Sequence, residues 1–263
     1  MSVKKDESGR RWVEVEVEVP GTPEEVWQAI ATGPGISSWF VPTEFREDGT
    51  VVSDFGPGME SVAKVTAWDP PRRFSAESPG DLGPGGPPVA SEWVVEARSG
   101  DTCVVRVVHS LFASTDGWDN QLESWEGGWP WFFRILRLYL THFRSQPCSA
   151  FRVMGAAPEP ASAAWDALTA ALGLESVVEG RVSASGGATP LAGTVDQARR
   201  GEGDHAFLLR LEEPAPGIAS LFALPMGGQV FLVIDFFFYG DGAAAAAARA
   251  ESPWSVWMNE RFP

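Results

Sequence analysis

The sequence predicts an α+β fold in which a curved antiparallel sheet receives one long C-terminal helix, with the same plan repeated in shortened form. Three observations predict it. Residues 11–19, RWVEVEVEV, alternate without a break. Short segments punctuated by Gly, Pro and Asp fill residues 41–112. Residues 101–143 then pass from a strand through an Asp-Gly turn into a tryptophan-rich helix.

Strand side chains point alternately to two faces. Val13, Val15, Val17 and Val19 therefore face a core, and Glu14, Glu16 and Glu18 face water. In the next segment Thr22 suits an N-cap and Pro23 the first helical position, while Glu24 and Glu25 favour the positive helix start. Val26, Trp27 and Ile30 form its buried face. Gly33-Pro34-Gly35 is expected to end this helix and residues 36–40 to form a second, short one. Trp39 and Phe40 then sit where the helices turn back onto sheet.

Turn signals divide the following meander into strands at 43–47, 50–55, 59–68, 73–77, 91–98 and 102–112. The Pro- and Gly-rich stretch 79–90 reads as an exposed, mobile linker or insertion, with a flap over a cavity mouth as the alternative. On strand 91–98, Trp93, Val95 and Ala97 share one face. On strand 102–112, Cys103, Val105, Val107, His109 and Leu111 face inward, and Arg106 marks the outer face. His109 is thus an inward polar group among apolar neighbours. It fits either a core histidine bonded to a backbone carbonyl or a polar handle for a ligand.

In the long helix Trp118, Leu122, Trp125, Trp129, Phe132 or Phe133, Leu136, and Tyr139 or Leu140 recur at spacings of three and four, which is one apolar stripe. Asp119 is expected to cap it. Pro130, beside Gly127 and Gly128, is expected to bend it. The stripe packs as ordinary core, or part of it lines a cavity between helix and sheet.

The formal charge is −15, which argues against nucleic acid and anionic membrane as partners. Two cysteines, Cys103 and Cys148, form no CxxC pair and fit a reducing cytoplasm. The N-terminus lacks the apolar stretch of a signal peptide, and the apolar runs around Asp235 are too short to span a bilayer. No P-loop, GxGxxG, GxSxG or HExxH pattern occurs, so no cofactor is expected. His109, His142 and His205 lie too far apart in sequence to suggest a metal site.

Residues 147–263 echo the first half. ASAAWDALTAAL sets Trp165 under Trp27. Aligning Asp241-Gly242 with Asp116-Gly117 sets Trp254 under Trp129 and Ile234 under His109. The second copy is shorter by about the length of the Gly/Pro loop and lacks the polar handle. Strand 230–239 is apolar on both faces apart from Asp235, so it requires outer cover. That cover is expected to be the first unit or a second chain, and Asp235 is expected to pair with an arginine.

The motifs TPEEVWQAI, SSWF, AWDPPRRF and RVVHSLF, followed by the helix with GGW, resemble the START-like (SRPBCC) superfamily. They are most similar to the activator of heat-shock protein 90 ATPase homologue family. The resemblance implies a helix-grip fold over residues 1–146 and a hydrophobic pocket between sheet and long helix. Residues 147–263 then form a degenerate START-like unit. The expected lining is Trp39 and Phe40, then Trp93 and Val95, then Val105, Val107 and His109. Trp118, Trp125, Trp129 and Phe133 complete it from the helix. The function expected is non-enzymatic binding of a hydrophobic small molecule. The alternatives are a polyketide cyclase or dehydratase using His109, or a chaperone cofactor. A homodimer or protein partner is compatible with either.

Overall fold

A computed structural model describes residues 3–56, 58–201 and 204–263, with Asp204 described by its backbone alone. The chain divides into two units, Met1–Arg144 and Ser145–Pro263.

The first unit runs β1 (Lys4–Lys5), β2 (Arg10–Pro20), α1 (Pro23–Ile30), α2 (Gly33–Ile36), β3 (Thr43–Phe45), β4 (Thr50–Asp54), β5 (Glu60–Asp69), β6 (Arg73–Ser78), β7 (Val89–Arg98), β8 (Thr102–Phe112) and α3 (Asp119–His142). Its sheet has the order β1-β2-β8-β7-β6-β5-β4-β3, antiparallel throughout. The first long strand therefore lies beside the last, with Val13 opposite His109 and Val19 opposite Cys103. A register shift between Val65 and Ala67 adds the local twist that bulges bring. The sheet grips α3, the helix that follows its last strand, and this is the helix-grip architecture.

α1 starts as its sequence dictates. Thr22 accepts from the Glu25 amide, and Glu25 accepts from the Thr22 amide, closing a capping box. α2 corrects the expectation for residues 36–40. The helix is Gly33–Ile36, starting three residues earlier, because the Thr32 hydroxyl caps the Gly35 amide and Pro34 is tolerated in a first turn. Gly35 is needed there, since a Cβ would fall 1.8 Å from the Gln28 carbonyl oxygen.

Asp119 does not cap α3. The capping position is Trp118, and Asp119 is the first helical residue. Its carboxylate instead receives Nε and Nη2 of buried Arg11, at 2.6 and 2.8 Å, while Asp116 receives Nη2 at 2.6 Å. An inward-facing arginine with a planar fork outcompetes a local backbone amide for that carboxylate. The Arg11 bonds hold the Asp119 carboxyl down at about 2. α3 is continuous through Gly127, Gly128 and Pro130.

The second unit runs β9 (Cys148–Pro158), α4 (Ala161–Leu172), β10 (Gly180–Ala184), β11 (Leu191–Gly201), β12 (Asp204–Glu213), β13 (Gly217–Met226), β14 (Gln229–Tyr239) and α5 (Ala243–Arg261). Its sheet order, β10-β11-β12-β13-β14-β9, again sets the first strand beside the last. Trp165, Phe207, Phe236 and Trp254 centre its core. On β14, Asp235 is buried and pairs across the sheet with Arg152, whose Nε lies 2.6 Å from Oδ1.

Candidate functional site

Phe40, Trp93, His109, Phe132 and Phe133 converge on Trp129. Its ring stacks on Phe40 (5.3 Å between centroids) and on His109 (5.6 Å). Trp93 meets it edge-on at 5.1 Å, and Phe133 lies at 5.3 Å. Mixed stacked and edge-to-face contacts suit ring quadrupoles better than a uniform pile. Trp39 holds the segment bearing Phe40 in place, because its buried indole donates to the Ala29 carbonyl at 2.9 Å. Val95, Val105 and Val107 are buried on the same sheet face as Trp93, with Trp93 opposite Val107 and Val95 opposite Val105.

Toward the surface the cluster ends in half-buried rings. Phe40 touches Phe55 at 5.6 Å and Phe132 at 4.7 Å, and all three remain partly accessible. Trp118 and Trp125 pack elsewhere, against a smaller group of Val3, Val13, Leu111 and Leu122. Trp125 links the two groups through His109, 5.3 Å away.

His109 is bonded by side chains, and the expected carbonyl partner is replaced. Nε2 lies 2.6 Å from Trp129 Nε1, and Nδ1 lies 2.8 Å from Ser91 Oγ. An indole nitrogen only donates, so Nε2 accepts. Burial pushes the ring down to about 4. The Trp129 N–H aimed at Nε2 works in the same direction, since a protonated ring would oppose two donors.

The unfolded chain therefore takes up this proton first, near the ordinary value of 6.5. Between pH 6.5 and 4 the unfolded state holds more protons, so stability falls as pH falls through that window. The total loss is at most about 3 kcal/mol. Nitrogen NMR of the ring should show a neutral Nδ1–H form down to about pH 4. A titration centred near 6.5 would contradict the bonds from Trp129 and to Ser91.

The sequence reading missed a row of hydroxyls on the same wall. Thr43, Ser53, Ser61, Ser78 and Ser91 stand on successive strands from β3 to β7, and His109 continues the row on β8. Thr43 and Ser53 are 3.0 Å apart. Ser61 and Ser78 both donate to Asp81 Oδ1, at 2.8 and 2.6 Å. The period-two pattern that set Trp93 and Val95 on one face reaches Ser91 when carried back two residues, which was the available signal.

Those two bonds revise the reading of the loop. Asp81 ties it to β5 and β6, and Leu82 packs on the group containing Val13, Leu122 and Trp125. The stretch is a strap over the inner wall, fastened at one carboxylate.

The second unit differs at each corresponding point. Buried Ile234 stands where His109 would. Trp254 donates to Thr189 at 3.0 Å and packs 4.9 Å from Phe236. A Cβ on Gly187 would fall 2.2 Å from the Trp254 ring, so glycine is required for that closure. Buried Ala243, Ala246, Ala247 and Ala250 form the face that α5 packs inward.

Among the described residues no group of three or more His, Cys, Asp and Glu is placed to hold a metal ion. Among them no helix is long and apolar enough to cross a membrane.

No family model matches the chain, and no curated protein sequence does. Solved structures do. The chain is similar to the di-domain ARO/CYC BexL of the BE-7585A biosynthetic pathway, with 14% identity and a TM-score of 0.46 over 94% of this chain and 98% of that one. It is similar to DynU16 of the dynemicin biosynthetic locus, with 18% identity and a TM-score of 0.42 over 94% and 95%. It is also similar to Aha1 from Colwellia psychrerythraea, solved as a dimer, with 20% identity and a TM-score of 0.40 over 49% and 95%. Likeness at this level concerns architecture alone.

Proposed function

We propose that the first unit binds a hydrophobic small molecule between its sheet and α3, without chemistry. The observation that supports this best is the Trp129 cluster. It is a set of packed rings opening onto half-buried Phe40, Phe55 and Phe132. The titratable group set among those rings, His109, has both nitrogens committed. A cyclase or dehydratase would need that imidazole to exchange a proton, and its bonds leave it no free lone pair. The chaperone-cofactor reading rests on family resemblance. The second unit serves as a packed structural partner domain, its Trp254 closed on Gly187.

Native mass spectrometry of freshly isolated protein is the test, followed by thermal-shift titration with apolar ring compounds. An apolar compound carried through purification, or a rise in Tm with added compound, is the expected result. No bound compound and no shift from any of them would count against binding.

A further inference from the structure

The geometry points to Ser91 as the hydrogen-bond donor that receives a ligand's carbonyl oxygen. This deepens the reading of the first unit as an apolar-ligand site and rests on it.

Trp129 Nε1 carries a hydrogen and no lone pair, and it sits 2.6 Å from His109 Nε2. The imidazole hydrogen must therefore be on Nδ1. Nδ1 lies 2.8 Å from Ser91 Oγ, so the serine oxygen accepts. The hydroxyl hydrogen of Ser91 is not used in that bond.

The other hydroxyls of the wall have spent theirs. Ser61 and Ser78 donate to Asp81. Thr43 donates to the Val41 carbonyl, which leaves Ser53 to donate to Thr43. Ser91 thus holds the unspent hydrogen of the row, on a half-buried side chain beside the rings. It is also a strengthened donor, because bonds in a chain polarise one another and Trp129 to His109 to Ser91 is such a chain.

The ligand class follows from the surroundings. The flat walls, His109 and Trp129 stacked with Trp93 edge-on, suit a ring compound. A single donor suits one acceptor oxygen. Asp81 on the same wall and a net charge of −15 disfavour an anion. The class is an uncharged ring compound carrying a carbonyl group.

The test compares two near-isosteric probes, 2-acetylnaphthalene and 2-ethylnaphthalene, by equilibrium dialysis against the full chain. The ketone should bind about tenfold tighter, the worth of one well-placed hydrogen bond. Ser91→Ala should bring the ratio of the two dissociation constants close to one, and Ser91→Thr should restore part of it. A readout needing no variant is the carbonyl carbon signal of labelled 2-acetylnaphthalene, which should move downfield on binding. Equal affinity of the two probes overturns the assignment of Ser91 while leaving the pocket intact. So does a preference that survives Ser91→Ala, or a bound carbonyl signal at its alkane-solvent position. Failure of both probes to bind overturns the pocket itself and Ser91 with it.

Discussion

Trp129→Ala is expected to lower the unfolding free energy of the first unit by about 3–5 kcal/mol, the range for emptying a core aromatic site. The ring is buried and touches Phe40, Trp93, Phe133 and His109. Removing it deletes the transfer free energy of a large side chain and leaves a cavity that rigid neighbours close only in part. It also strips His109 Nε2 of its donor. Protonation of the imidazole then becomes easier, and its pKa should rise from about 4 toward the ordinary value. Denaturant unfolding, with amide exchange in β7 and β8 to assign the loss to this unit, measures the first effect. NMR titration measures the second. A loss below about 1 kcal/mol would mean the ring is not packed on all sides. Trp129→Phe separates the two effects, since it keeps most of the volume and removes only the donor.

Arg152→Met is expected to cost the second unit about 3–5 kcal/mol at neutral pH, because it strands a buried carboxylate. Asp235 is buried, and Arg152 reaches it through Nε and Nη2 at 2.6 and 3.2 Å. Desolvation already pushes the Asp235 carboxyl above its ordinary value despite the arginine. Without the arginine the push is stronger. A raised carboxyl means the folded state holds its proton longer than the unfolded one. The deficit of the variant should therefore shrink as pH is lowered toward the ordinary carboxyl range and grow as pH rises above it. Chemical unfolding at several pH values checks the sign. The paired change Arg152→Met with Asp235→Leu should recover most of the loss, since a buried ion pair contributes little over apolar packing of similar size. A deficit in Arg152→Met that does not depend on pH would sink the account.

Much of the architecture was legible because its signals are local. RWVEVEVEV could only be a strand with one wet face, and β2 spans it. The capping box at Thr22 and Glu25 needs four consecutive residues and appeared as expected. The readings that failed involve competition from distant groups. Asp119 looks like a cap until Arg11, far away in sequence, claims its carboxylate. The 79–90 stretch is largely exposed, as its composition predicts, but composition could not show that Asp81 fastens it to Ser61 and Ser78. For the site, the periodicity of α3 and β8 singled out Trp129, Phe133 and His109, and the structure brings them together. Trp118 belongs to the same helical stripe but lies near the helix start, over a different part of the sheet. The state of His109 was not legible. It depends on which ring nitrogen faces the Trp129 indole and which faces Ser91, and both partners lie on other elements, far from His109 in sequence.

The placing of β2 against β8, and of β9 against β14, has a kinetic consequence. In each sheet the first long strand pairs with the last, so that pairing waits until nearly the whole unit has left the ribosome. Such long-range contacts are slow to form and leave strand edges unpaired in the meantime. The first unit can close while the second is still being synthesised, and sequential closure shortens the time during which both aggregation-prone edges are open together.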